Sequence, residues 1–209
     1  MGSMDNQNEM PTHTVDLDDF WIMQTEVTNA EYGRCVMVPA CTPPNNQRWN
    51  DATYANYPVI NTTWNQANQY AAWAGGRLPT EAEWEKAARS TDARVYPWGE
   101  QEISDQLLNY NFVKGATMPV GSYPAGAGPY GTLDMAGNVE EWVADWYGDS
   151  YYASAPAKNP LGPGDGVFRV VRGGSFNSKR MDVRTTARGK ALPNSHFPSV
   201  GFRVVVPGP

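Results

Sequence analysis

Gly76-Arg77-Leu78-Pro79-Thr80-Glu81-Ala82-Glu83-Trp84-Glu85-Lys86-Ala87-Ala88-Arg89 is the stretch on which the fold reading turns. Thr80 and Glu83 form a capping box, in which the hydroxyl accepts from a first-turn amide and the glutamate reaches back to the cap. A helix should run from there to about Arg89, with Trp84, Ala87 and Ala88 as a small apolar stripe. The same device occurs twice upstream, in Thr28-Asn29-Ala30-Glu31 and Thr63-Trp64-Asn65-Gln66. The first box opens a helix that must end before Pro39. The second places Trp64, Ala67, Ala71 and Ala74 on one face and is stopped by Gly75-Gly76. After Val95 the helical pattern ends. Short apolar runs over residues 117–123, 141–146, 168–172 and 201–206 alternate with Gly/Pro/Asn loops and read as strands, as does 15–22 near the start. Three helices followed by a loop-rich β region predict an α+β fold. Loops this long in a compact domain usually carry function.

The 209 residues suffice for one domain with a sizeable core, since 41% are apolar and 8 Trp, 11 Tyr and 6 Phe supply large buried area. The tryptophans Trp21, Trp64, Trp73, Trp84, Trp98, Trp142 and Trp146 are expected in that core. A net charge of −6 argues against a general nucleic-acid or anionic-membrane surface, because phosphate binding needs clustered positive charge. No apolar run approaches a membrane span and no signal segment opens the chain. Cys35 and Cys41 are close enough for a small disulfide loop, and two free buried thiols are an equal alternative. Their spacing and lack of partners exclude a CxxC metal site. His13 and His196 are isolated and expected to be structural or solvated.

Several phrases in order carry a resemblance: Glu26-Val27-Thr28-Asn29, Pro58-Val59-Ile60-Asn61, the 76–89 stretch, Pro97-Trp98-Gly99, Leu133-Asp134-Met135-Ala136-Gly137-Asn138-Val139-Glu140-Glu141-Trp142, Arg172-Gly173-Gly174-Ser175-Phe176 and Gly201-Phe202-Arg203. Together they resemble the formylglycine-generating enzyme (sulfatase-modifying factor) family over nearly the whole chain. Met1-Gly2-Ser3, which can also be read as an expression remnant, resembles that family's Met-Gly-Ser. The resemblance implies a C-type-lectin-like fold with paired N- and C-terminal strands and a large irregular loop region. Residues 1–209 are then one domain whose preceding strand is missing, as expected of the C-terminal part of a longer protein.

The family's oxidase uses two cysteines after the Gly-Gly-Ser to bind copper and to form a mixed disulfide with substrate, work suited to a soft, nucleophilic thiolate. Here the first such position is Ser178 and no cysteine follows Cys41, so neither catalysis nor copper is expected. The resemblance also implies a structural calcium ion on Asp134, the Gly137 and Val139 carbonyls and Glu141, a hard-oxygen set suited to Ca²⁺. The family's other calcium site lacks its acidic residue between Val113 and Asp134, and nothing supplies the three-histidine iron site of a related sulfur-oxidising group.

The C-terminal frame, Val183-Arg184, Arg188, Pro193 and Gly201-Phe202-Arg203, keeps the family spacing while its filling is idiosyncratic. A kept frame with odd filling is how a binding surface on a rigid scaffold looks, and it resembles the variable proteins of diversity-generating retroelements. The expected ligand-binding residues are Phe176, Asn177, Ser178, Lys179, Arg180, Met181, Asp182, Gly189, Lys190, Ala191, Leu192, Ser195, His196, Phe197, Pro198 and Ser199. Phe176, Arg180, Met181 and Phe197 are the expected hot spots. The expected function is therefore a non-catalytic module that binds a protein or peptide ligand. The alternatives are a regulatory or sensor domain of a larger bacterial protein such as a kinase, and a copper-dependent formylglycine-generating oxidase.

Overall fold

All three helices form where their capping boxes place them. In the computed structural model, which describes residues 1–209, α1 spans Asn29–Met37, α2 Trp64–Trp73 and α3 Glu81–Arg89. Each box is closed: Thr28, Thr63 and Thr80 accept from the N3 amides of Glu31, Gln66 and Glu83, whose side chains bond back to the caps. Gly75 takes a left-handed φ of 84° and ends α2. A Cβ on Gly76 would lie 2.4 Å from the Val205 carbonyl, so only glycine lets the chain pass the C-terminal strand there.

The first and last strands, β1 (Phe20–Ile22) and β6 (Val205–Pro207), pair antiparallel, with Trp21 opposite Val206. A four-stranded sheet follows the order β4 (Arg188–Ala191), β3 (Arg169–Arg172), β2 (Glu140–Trp146), β5 (Val200–Gly201). Only the β2–β5 pair is parallel. Alternation along these strands sends side chains to opposite faces. Trp142 and Val171 join the larger core with Tyr32, Tyr70 and Phe202, on the side of α1 and α2. Val143 and Val170 face the other way, against Trp84, Ala87 and Ala88 of α3. The sheet therefore lies between α1–α2 and α3, and the fold is α+β and C-type-lectin-like.

The structure differs from the sequence reading at several points. Thr117–Tyr123 is not a strand: the Val120 amide is taken by the Asn56 carbonyl and the Gly121 amide by Asp134. Only Phe20–Ile22 of the 15–22 run is a strand. β4 was not expected, because Arg-Gly-Lys-Ala shows no apolar alternation. Trp84 and Trp142 are fully buried, whereas Trp21 is 66% and Trp73 41% exposed, so the tryptophans do not form one core set. Cys35 and Cys41 form a disulfide within the larger core, with their Cα atoms 5.3 Å apart. The N-terminal segment is integral to the fold. The Gly2 amide donates to Glu85 Oε1 (3.0 Å), its carbonyl accepts from Arg89 (2.8 Å), and the Ser3 hydroxyl donates to Glu9.

Candidate functional site: a loop face on buried ion pairs

Consecutive left-handed glycines, Gly173 (φ 91°) and Gly174 (φ 64°), turn the chain from β3 into the C-terminal loops. Those loops stand on buried ion pairs. Arg172 Nη2 donates to Glu85 Oε2 (2.9 Å) and the Thr185 carbonyl (2.7 Å), and its Nη1 donates to Glu81 and the Thr186 carbonyl (both 3.2 Å). Arg188 grips the same Glu81 with two bonds, of 2.7 and 2.9 Å. Arg184 donates to both oxygens of Glu9 (2.7 and 3.1 Å). Burial would raise the Glu9 carboxyl, but bonds from Arg184, Asn6 and Ser3 outweigh it and hold the group down at about 2. Charge-assisted, multiply bonded pairs are the form in which buried charge is tolerated. The expected frame residues Arg184, Arg188 and Arg203 are thus anchors that hold loop ends.

On this frame, Asn177, Lys179, Arg180, Met181, Asp182 and Lys190 are exposed. Arg180 donates to Tyr96 Oη (3.1 Å) and Glu102 (2.9 Å), and Tyr96 stacks on Trp98 at 5.0 Å. Lys190 lies over the Tyr147 ring at 4.6 Å. A groove of about 970 Å³ runs between the Asn6–Met10 segment, Tyr147 and Asp149 on one side and Met181, Asp182 and Arg188–Lys190 on the other. An adjoining cavity of about 210 Å³ is lined by Glu140, Ser178, Asp182 and three glycines, 173, 174 and 189. Burial, reinforced by Asp182, pushes the Glu140 carboxyl up to about 7.

The remaining expected residues separate from this group. Ala191 is buried in the core and presents no side chain to a ligand. Phe197 is partly buried, packs against the core beside Trp142, and its carbonyl accepts from the Asn61 amide (3.0 Å). His196 Nδ1 is bonded at 2.9 Å to the Asn61 carbonyl. Ser195–Ser199 lead into β5, while Gly189–Ala191 belong to β4 at the opposite sheet edge, about 14 Å away by strand spacing. Leu192 and Pro198 are exposed, on the stretch that runs between these two edges.

Sequence reasoning missed four neighbours of the face: Tyr96, Glu102, Phe112 and Glu140. Phe112 is 61% exposed, sits at a left-handed φ of 58° and meets Phe176 edge-to-face at 5.8 Å. A strained aromatic on a surface loop is a functional signal that only backbone geometry reveals.

Ser178, at the family's cysteine position, accepts from the Ser175 amide (2.9 Å) and lies 3.3 Å from the Ser175 hydroxyl. No carboxylate or imidazole is hydrogen-bonded to it. Two members of the calcium quartet implied by the resemblance already accept protein donors. Glu141 is spent on Arg203 (2.6 and 2.7 Å) and the Trp84 indole (2.9 Å). Asp134 accepts from the Gly121 amide (2.6 Å). No three His, Cys, Asp or Glu side chains are arranged to hold a metal ion. Buried oxygens without a partner in this region are Glu26 Oε2, Asn109 Oδ1 and Thr117 Oγ1. Burial, then the Asp134 and Glu141 charges, push the Glu26 carboxyl well above the usual carboxylate range.

The fold and this loop face define the class: the chain belongs to the sulfatase-modifying factor enzyme 1-like domain family, which matches residues 1–207. Among particular relatives, it is 35% identical to the formylglycine-generating enzyme of Streptomyces coelicolor, over 93% of this chain and 80% of that protein. It is 37% identical to the serine/threonine-protein kinase pkn1 of Chlamydia pneumoniae, over 97% of this chain and 35% of the kinase. The chain thus spans about a third of the kinases' length. In structure it is similar to Treponema denticola variable protein 1, with a TM-score of 0.81 at 25% identity, covering 99% of this chain and 91% of that one.

Proposed function

We propose that this domain is a non-catalytic recognition module that binds a protein or peptide through the face built by residues 176–182, Lys190 and the adjoining groove. The observation that carries this reading is the division of labour in the loops. Every buried arginine of the frame is paired, while Asn177, Lys179, Arg180, Met181, Asp182 and Lys190 between them are exposed and chemically mixed. Arg and Met side chains with aromatic neighbours dominate interface energetics. The likeness to a variable protein favours a surface that differs between copies. The absence of any free thiol speaks against the two-cysteine chemistry of the formylglycine-generating relatives.

Alanine at both Arg180 and Met181 tests the face. Partner capture should fall at least tenfold with an unchanged melting temperature, and undiminished capture would refute it. Sequencing the 172–203 codons across a natural population tests diversification: substitutions confined to adenines, with frame residues untouched, are expected. Mass spectrometry of a Cys-x-Pro-x-Arg peptide incubated with copper and the protein should show no change, and a mass shift would restore the oxidase reading. The match to one third of the kinases favours a second setting for the same module, as the sensor part of a longer bacterial protein.

Calcium also belongs to this proposal, on Asp134, the Gly137 and Val139 carbonyls and Glu141; the mutual proximity of the Glu26, Asp134 and Glu141 carboxylates supports a cation there. A melting temperature raised by calcium and lowered by EDTA is expected, since only the folded form would hold the ion.

A further inference from the structure

The cavity of about 210 Å³ beside the groove has a chemistry of its own. Three of its nine lining residues are glycines, 173, 174 and 189. A Cβ on Gly189 would fall 2.7 Å from Val171 Cγ2 and 3.0 Å from Glu140 Oε1, and one on Gly174 would fall 2.8 Å from the Asp182 carbonyl. A side chain at either position would collide with the cavity's neighbours, so the close packing of these walls requires glycine.

Two carboxylates face it, Glu140 and Asp182. Glu140 is partly buried, and its carboxylate accepts no hydrogen bond from the protein and belongs to no ion pair. Asp182 accepts only from the Lys179 amide, at 3.2 Å. The cations nearby are engaged elsewhere: Arg188 holds Glu81, and Lys190 lies over Tyr147 and Phe168, 3.9 Å from Asp149. Ser178 adds a hydroxyl to the lining. A recess with an unpaired carboxylate favours a cation that supplies the missing donors. The volume suits one side chain, not a folded ligand.

We propose that this cavity receives a lysine-like ammonium group from the bound partner, held between Glu140 and Asp182, so that the partner of this domain is anchored by a basic side chain. This inference rests on the recognition-face reading above, and the test separates the two.

The probe is n-butylammonium, titrated at pH 8 while the backbone amides of Gly173, Gly174 and Gly189 are followed by NMR, with n-butyrate as the opposite-charge control. Saturable shifts at these glycines with the amine alone are expected, weakened at least tenfold by Glu140→Gln and several-fold by Asp182→Asn. Both variants are first shown to keep the parent melting temperature. Equal shifts from butyrate, or parent-like amine binding by Glu140→Gln, would overturn the proposal. Should the amine bind while the Arg180/Met181 double variant still captures its partner, the recognition face fails and the amine cavity stands. The reverse pattern, loss of capture in the double variant with no amine binding, sinks only the cavity.

Discussion

Glu81 is the residue on which the loop frame depends most. Its carboxylate takes two bonds from Arg188 and one from Arg172, and both arginine side chains are fully buried. Glu81→Ala leaves Arg172 with Glu85 and the Thr185 and Thr186 carbonyls, but Arg188 with only the Asn8 and Gly148 carbonyls and the Tyr152 and Tyr147 rings. Removing one partner of a buried pair costs about 3–5 kcal/mol, because an uncompensated charge stays inside. For a domain of this size each kcal/mol moves the melting temperature by about 2–4 °C, so a fall of about 6–20 °C is expected. Glu83→Ala on the same helix is the control. It removes a capping-box partner and an ion pair to Arg77, which is 45% exposed, together about 1–2 kcal/mol. Calorimetric melts of both variants at pH 7 decide the matter. Arg188 also anchors β4, so Glu81→Ala should weaken partner binding although Glu81 touches no ligand. Were Glu81→Ala to melt no lower than Glu83→Ala, the buried pairs would not be the scaffold argued for here.

Glu9 has a folded value near 2 against 4.5 when free, so its pairing with Arg184 stabilises the fold above pH 4.5 and the gain is lost as pH falls towards 2. The difference is about 3 kcal/mol, and acid titration of stability should show it in the parent and not in Glu9→Gln. Reducing the Cys35–Cys41 bridge, which spans a sequence separation of 6, should cost about 2 kcal/mol by loop entropy. A melt unchanged by reductant would contradict this. Phe112→Gly removes a left-handed penalty of about 1–2 kcal/mol along with the Phe176 contact. The melting temperature should hold or rise while partner capture weakens, and a drop of more than a few degrees would show that Phe112 is a packing residue.

The helices were legible because their signals are local. A capping box needs only residues three apart, and all three boxes are closed. The pairing of the terminal strands came from the family resemblance and appears in the β1–β6 register. β4 was not legible, because Arg-Gly-Lys-Ala becomes a strand only through its partner β3. The same holds for the exposure of Trp21 and Trp73: periodicity says that a ring needs cover and does not say whether cover arrives.

For the site, the sequence by itself determined the spacing of the frame, the serine at the cysteine position and the stretch of idiosyncratic filling. Tertiary structure decided which of those residues can meet a ligand. Ala191 is inside and Phe197 packs against the core, while Arg180, Met181 and Lys190 remain outside, Lys190 and Ala191 being split by alternation along β4. It also decided that Glu141 faces Arg203 and that Glu140, one residue earlier, faces a glycine-lined cavity. The physical reason is the two-residue period of a strand: adjacent carboxylates are sent to opposite faces, and only the fold determines what each face meets.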